Sequence, residues 1–283
     1  PAFDRKEDVI YGRKYGMALT MDVFTPKEHR NGAAVIVVIS GGWFSSHDVL
    51  DSEAIKTGLE FIRRGYTCFA VVHGSVPKFS IPEAVDDLYR AVRFVRYHAK
   101  EYGIDPDRIG ITGGSAGCHL SLMMGVEEKP GNTRARDPVD REISKVHAVA
   151  GFFPPTDFFN YGKEGVSAEP AIKMLRAPFD FRELKLNMFE PVSDEKRKKI
   201  LKDICPVYHV SPKSAPTLLI HGDRDPLVPL QQSQLMIEKL KEQNVPCQLI
   251  VHPGGGHGWD GIDKDLVPVC DWFDKYLAKK KSE

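Results

Sequence analysis

Ser115 lies in Gly113-Gly114-Ser115-Ala116-Gly117, a G-x-S-x-G pattern that follows the apolar run Arg108-Ile109-Gly110-Ile111-Thr112 and opens a helix-like stretch. A serine on a sharp strand-to-helix turn has small neighbours and an exposed hydroxyl, and the helix N-terminus beside it favours negative charge. A hydroxyl attacks only when a base takes its proton, and that base needs a carboxylate to orient it. Chains built around such a turn supply the acid first and the histidine later. Here His221-Gly222-Asp223-Arg224-Asp225-Pro226-Leu227-Val228-Pro229 comes first and Gly254-Gly255-Gly256-His257-Gly258-Trp259 second, each just past an apolar run.

Asp223 competes with Asp225 for the acid, and His221 and His252 compete with His257 for the base. His221 precedes the acid and breaks the expected order. His252 stays close to its strand, whereas His257 sits on a glycine-rich loop able to bend back toward Ser115. Asp223 is expected to cap a turn, and His119 to pack locally on the helix after Ser115. An oxyanion hole needs backbone N–H donors. Ala116 is one, and the run Ala34 to Ile39 leads into Ser40-Gly41-Gly42-Trp43, where Gly41, Gly42 and Trp43 are the candidates for the other.

These parts resemble the α/β-hydrolase superfamily, and within it the small esterases related to acetyl esterases and bacterial feruloyl esterases. The resemblance runs over nearly the whole chain. It takes in Tyr11 to Pro26 as an opening hairpin, Ile81 to Asp87, Gly103 to Ile109, the serine motif and both later loops. It favours Asp225, which matches H-G-x-x-D-x-x-V-P, and His257 by its flanks. It implies Ser115, Asp225 and His257 as catalytic residues, with Gly41, Gly42, Trp43 and Ala116 around the oxyanion. Trp43, His73 and Trp259 are expected to line the substrate pocket, with a structural role for His73 equally open.

Three departures stand out. Related esterases carry H-G-G-G-W where this chain has Ile39-Ser40-Gly41-Gly42-Trp43, so the anchoring of that loop must differ. Cys118 replaces a glycine. His73 stands where tyrosine-arginine is usual. The resemblance implies an ester substrate, short-acyl or hydroxycinnamoyl, on a small molecule or carbohydrate. A peptidase like prolyl oligopeptidase is the alternative, although this chain has no room for that family's large extra domain. An inactive hydrolase-like binding protein is the third reading, supported by Ile39-Ser40.

The elements that must position these residues alternate. Ala34 to Ile39, Thr67 to His73, Arg108 to Thr112, Val146 to Phe152, Thr217 to His221 and Gln248 to Val251 read as buried strands. Pro82 to Tyr102 reads as a helix, with Val85, Leu88, Val92 and Val95 at helical spacing. Buried strands alternating with helices predict a mostly parallel sheet covered on both faces, here the eight-stranded α/β-hydrolase fold, over a single domain of residues 1–283. Glu127 to Glu142 reads as a surface loop. Asn160 to Ser211 is an insertion between the sixth and seventh strands, holding Phe179, Phe181, Leu184, Leu186, Met188, Phe189 and a basic helical run from Glu195 to Lys202. The resemblance gives it the role of lid or pocket wall.

Composition excludes several classes. The 39 basic and 39 acidic residues cancel, which argues against nucleic-acid or membrane-surface binding. Lys279-Lys280-Lys281 reads as a solvated end. No apolar run approaches the roughly 18 residues of a membrane helix. No signal peptide is evident and the chain starts at Pro1, so cytoplasmic and exported locations both stay open. Five cysteines without C-x-x-C spacing read as reduced, mostly buried thiols. No metal or dinucleotide motif appears, so no cofactor is expected. A monomer or small homo-oligomer is expected.

Overall fold

The computed structural model describes residues 2–51, 55–170, 182–185 and 188–279. The chain opens with a hairpin of β1 (Phe3–Lys14) and β2 (Met17–Pro26), followed by β3 (Ala34–Ile39). Helix α1 (Ile55–Arg63) leads to β4 (Thr67–Val72), and α2 (Ile81–Tyr97) leads to β5 (Ile109–Gly114). Then come α3 (Ala116–Val126), β6 (Ala148–Phe152) and a small hairpin of β7 (Arg182–Lys185) and β8 (Met188–Pro191). Helix α4 (Asp194–Asp203), β9 (Thr217–Gly222), α5 (Gln231–Glu242), β10 (Cys247–His252) and α6 (Leu266–Tyr276) complete it.

Eight strands make one sheet in the order β1-β2-β4-β3-β5-β6-β9-β10. The β1–β2 and β2–β4 pairs are antiparallel and the others parallel. From β3 the chain first moves one way, to β4, and then back across to β5. The loops leaving β3 and β5 therefore part at the carboxyl edge, where open α/β sheets form a binding crevice. Those loops carry Ser40–Trp43 and Ser115.

Period-2 alternation divides the core. Ala34, Ile36 and Val38 pack on one face with Leu88, Val92 and Leu120. Val35, Val37 and Ile39 pack on the other with Phe61, Val269 and Phe273. Both faces are covered, as the apolar runs predict. Strand β10 is the exception. It lies at the sheet edge and Val251 is exposed, so this run is only half covered.

Helix α2 begins with a capping box, in which Ser80 and Glu83 satisfy each other's backbone N–H groups. It stops at Tyr97, earlier than its apolar spacing suggests. His98 leaves helical geometry, and a single turn (Ala99–Tyr102) follows, ended by left-handed Gly103. The basic run in the insertion forms α4, capped by Ser193. Phe179, Phe181, Leu186, Lys280 and Lys281 lie outside the described residues. Cys68, Cys118, Cys205 and Cys270 are buried free thiols, and Cys247 is half-buried. Among the described residues, no helix is long and apolar enough to cross a membrane.

Cys118 fits because its neighbour has no side chain. A Cβ on Gly151 would stand 2.6 Å from the Cys118 sulfur and 2.6 Å from the Gly113 carbonyl oxygen. Overpacking of this kind costs about 1–3 kcal/mol. Gly151→Ala is expected to lower unfolding free energy by about that much in urea titrations, with partial recovery when Cys118→Gly is added. Wild-type stability in Gly151→Ala would contradict this packing.

Candidate active site

Strand β5 passes into α3 through Ser115, whose φ of 53° and ψ of −120° are unusual for a residue with a side chain. Such a backbone costs about 1–3 kcal/mol and persists only where its surroundings impose it. The Ser115 N–H donates to the Phe152 carbonyl at 2.9 Å, and the Ser115 carbonyl accepts from the His119 N–H at 3.0 Å. A Cβ on Gly113 would lie 2.6 Å from the Gly117 carbonyl carbon, and one on Gly117 would lie 2.8 Å from the Val38 oxygen. Only glycine lets the helix start touch both strands at backbone distance.

The loops after β9 and β10 bring two side chains to Ser115. His257 Nε2 lies 2.9 Å from Ser115 Oγ, and His257 Nδ1 lies 2.8 Å from Asp225 Oδ2. The other carboxylate oxygen, Oδ1, accepts from the N–H groups of Leu227 and Val228, both at 2.9 Å. The Asp225 side chain is fully buried. Burial alone would raise its pKa, but hydrogen bonds from His221, His257 and the two backbone N–H groups hold it well below the usual carboxylate range. An ionised Asp225 only accepts, so His257 carries its proton on Nδ1 and turns the Nε2 lone pair toward Ser115.

The competing residues have other partners. Asp223 Oδ1 accepts the Gly254 N–H at 2.7 Å and so ties the start of the His257 loop. His252 stacks on Trp259, with ring centroids 4.6 Å apart. His221 is fully buried, with Nε2 2.8 Å from the Val228 carbonyl and Nδ1 2.7 Å from Ser233 Oγ. Its Nε2 also stands 3.4 Å from Asp225 Oδ2. Chain order sets His221 aside as a base, but nothing in that order reveals this contact with the acid.

The loop after β3 differs from expectation in two ways. The Gly41 N–H donates to the Phe44 carbonyl at 2.9 Å and the Phe44 N–H donates back at 2.9 Å, so Gly41 closes the turn and has no N–H to offer. Gly42 (φ 55°) and Trp43 (φ 60°) follow, and among the described residues no acceptor meets either N–H. The first N–H groups of α3, at Ala116, have no partner within the helix. The Trp43 ring, expected in the pocket, is instead 2% exposed. Its indole N–H donates to His119 Nδ1 at 3.1 Å, and His119 Nε2–H donates to the Ile204 carbonyl at 2.7 Å. Burial lowers the His119 pKa to about 4, so its neutral ring can accept at one nitrogen and donate at the other. His73 is also buried, with its Nε2 2.8 Å from Ser40 Oγ in the same loop.

Trp259 is half-buried, donates to Asp265 Oδ2 at 2.7 Å and packs edge-on against Phe153. Phe153 is a site residue that the motifs miss. It follows β6 with φ 38°, donates its N–H to the Ile220 carbonyl, and sets its ring 4.4 Å from that of His257. An aromatic at a strand end reads as core, so only its place before Pro154-Pro155 hints at a turn.

Among the described residues, one group of potential metal ligands, Asp8, Asp22 and His47, lies on the opening hairpin and the loop beside it. The Arg5 guanidinium, 2.6 Å from Asp22, already supplies the positive charge there.

Three histidines, the buried His73 and His119 and the half-buried His147, each have their pKa lowered from 6.5 to about 4, desolvation being the main cause. The unfolded chain therefore takes up these protons first, and stability must fall as pH drops from about 6.5 to 4. Burial raises the pKa of Asp87 to about 6 and also raises that of its neighbour Asp86, which opposes this, but two groups stand against three. Thermal melts are expected to show a falling Tm across that window. A flat profile would contradict neutral burial of these rings.

A BD-FAE family model matches residues 21–240, and a dienelactone hydrolase family model matches residues 204–279. The chain is 28% identical over 238 residues to the probable carboxylic ester hydrolase LipM of Mycobacterium tuberculosis, covering 83% of this chain and 51% of that protein. It is 26% identical over 259 residues to the esterase LipC of the same organism, covering 90% and 60%. The chain thus spans about half the length of the curated relatives it matches. A truncated carbohydrate esterase from gut microbiota superimposes with a TM-score of 0.77 at 25% identity, covering 98% of each chain. An acetyl ester-xyloside bifunctional hydrolase from Caldicellulosiruptor lactoaceticus gives 0.72 at 25% identity, covering 95% of this chain and 93% of that one. The eight-stranded sheet, the Ser115 turn and a match over residues 21–240 make this chain a member of the BD-FAE family, with the fold of the α/β-hydrolase esterases.

Proposed function

We propose that the protein is a serine carboxylesterase acting through Ser115, His257 and Asp225. The observation that carries this reading is the unbroken hydrogen-bond chain from Ser115 Oγ through His257 to Asp225, at 2.9 and 2.8 Å. Ser115 attacks the ester carbonyl while His257 Nε2 takes its proton. Asp225 steadies the imidazolium that forms, and His257 then hands the proton to the departing alcohol. Water, activated by the same imidazole, releases the acid from the acyl-enzyme.

The tetrahedral oxygen is held by the N–H groups of Ala116, Gly42 and Trp43, with Gly41 shaping the turn. Trp43 contributes through its backbone, and its indole fastens the loop to the helix that begins at Ser115. Short-acyl or hydroxycinnamoyl esters, carried on a carbohydrate, are the substrates that fit best. Support comes from two similar solved structures, a carbohydrate esterase and an acetyl ester-xyloside hydrolase.

In this reading the described residues of the 160–211 insertion form a wall of the pocket. Two of its points are bonded to the catalytic framework: Tyr161 Oη donates to the Leu227 carbonyl at 2.8 Å, and Ile204 accepts from His119.

Ser115→Ala is expected to reduce kcat on 4-nitrophenyl acetate by at least about a thousandfold, since nucleophile removal leaves only oxyanion and binding effects. Undiminished turnover would end this mechanism. Trp43→Phe keeps an aromatic ring at the position but loses the bond to His119. A fall in kcat of about tenfold or more with little change in KM is expected, because a displaced oxyanion donor acts on the transition state. A rise in KM alone would instead put Trp43 in the substrate pocket.

A further inference from the structure

Two departures from the residues usual in related esterases, Ser40 and His73, meet in the structure. Ser40 Oγ lies 2.8 Å from His73 Nε2, and His73 Nδ1 lies 2.9 Å from the Gly74 carbonyl. A carbonyl only accepts, so Nδ1 carries the ring proton. The ring is 3% exposed, and burial, reinforced by Lys14, keeps it neutral against the weaker pull of Gly74. Its Nε2 lone pair is therefore available, and the Ser40 hydroxyl donates to it. That hydroxyl is committed, so it is no donor to an oxyanion.

The contact belongs to a larger seam. Ser45 Oγ accepts the His73 N–H at 3.1 Å and donates to the Ile39 carbonyl at 2.5 Å. The Ser45 N–H donates to Ser75 Oγ at 3.1 Å. Both ends of the loop after β3 are thus sewn to the chain leaving β4. That chain is fixed in turn, since the Gly74 N–H donates to Asp87 of α2 at 2.8 Å and Lys14 pairs with the same carboxylate oxygen at 2.7 Å. On its other side Ser40 lies against the helix start, where a Cβ on Gly117 would be 3.4 Å from the Ser40 carbonyl oxygen.

We propose that Ser40 and His73 are positioning residues that hold the Gly42–Trp43 N–H groups in place opposite Ser115, an anchor built across two strands instead of a histidine within the loop. The proposal rests on the esterase reading. It joins two positions 33 residues apart that no motif links.

The test compares steady-state kinetics on 4-nitrophenyl acetate with amide hydrogen exchange of residues 40–45. Ser40→Ala is expected to lower kcat by about ten- to a hundredfold, somewhat less than outright loss of an oxyanion donor, with KM within about threefold. Exchange in the loop should quicken. His73→Asn, which cannot reach the Nε2 position, should match it. Combining the two should cost little more than either alone, because both remove one interaction. Ser40→Thr keeps the hydroxyl and His73→Gln keeps an acceptor at the Nε2 position, so at least one should restore most of kcat.

Wild-type kcat in Ser40→Ala, a loss carried by KM, or additive effects in the double variant would overturn the anchor, as would both conservative variants being as slow as Ser40→Ala. Unchanged loop exchange in Ser40→Ala would overturn it irrespective of turnover. A wild-type protein without activity on any ester would instead overturn the esterase reading, leaving exchange to decide the anchor.

Discussion

The structure depends on one close approach, where the start of α3 meets the ends of β3 and β5 at backbone distance. Gly117 sits so near the Val38 carbonyl that no side chain fits between them. This contact forces the turn at Ser115 into its positive φ and lifts the hydroxyl off the sheet edge. It also sets the spacing between Ser115 and the loop after β3, because both are carried by elements that touch there. The strain at Ser115 is local and costs about 1–3 kcal/mol. The bonds from Phe152 and His119 to its backbone, with the buried packing of α3, maintain it.

Around that point the site is a set of nested supports. Asp225 is held by two backbone N–H groups and approached by His221, which Ser233 and the Val228 carbonyl fix from behind. His257 takes its tautomer from Asp225 and has the Phe153 ring against it. Trp43 is tied to His119, and His119 to Ile204 beyond it. In the proposed mechanism each reacting group thus has a buried partner that restricts it to one geometry, the condition for stabilising a transition state more than a ground state.

Much of this was legible in the chain. The strands from Ala34 to Ile39 and from Thr217 to Ile220 announce themselves by uninterrupted β-branched and apolar residues. Small residues on both sides of Ser115 mark a turn that tolerates nothing larger. The acid and histidine loops are readable because each follows a strand, and a parallel sheet brings such loops to one edge. Side-chain direction was not legible. Trp43 looks like a pocket residue by its place in the motif, yet its positive φ turns the indole inward to His119. Gly41 looks like a donor until the reciprocal bonds to Phe44 are seen. His221, Phe153 and the Ser40–His73 contact depend on residues distant in sequence, and pattern reading has no access to such pairings. The half-exposed β10 was missed because a short apolar run reads the same at a sheet edge as at its centre.

The central claim is that Ser115 is an activated nucleophile facing a formed oxyanion hole. It is tested most directly by treating the folded protein with a fluorophosphonate and mapping the adduct by peptide mass spectrometry. The account predicts one covalent adduct per chain, on Ser115, with labelling slowed severely in His257→Ala. Folded protein that stays unlabelled, or that is labelled at another residue, would contradict it.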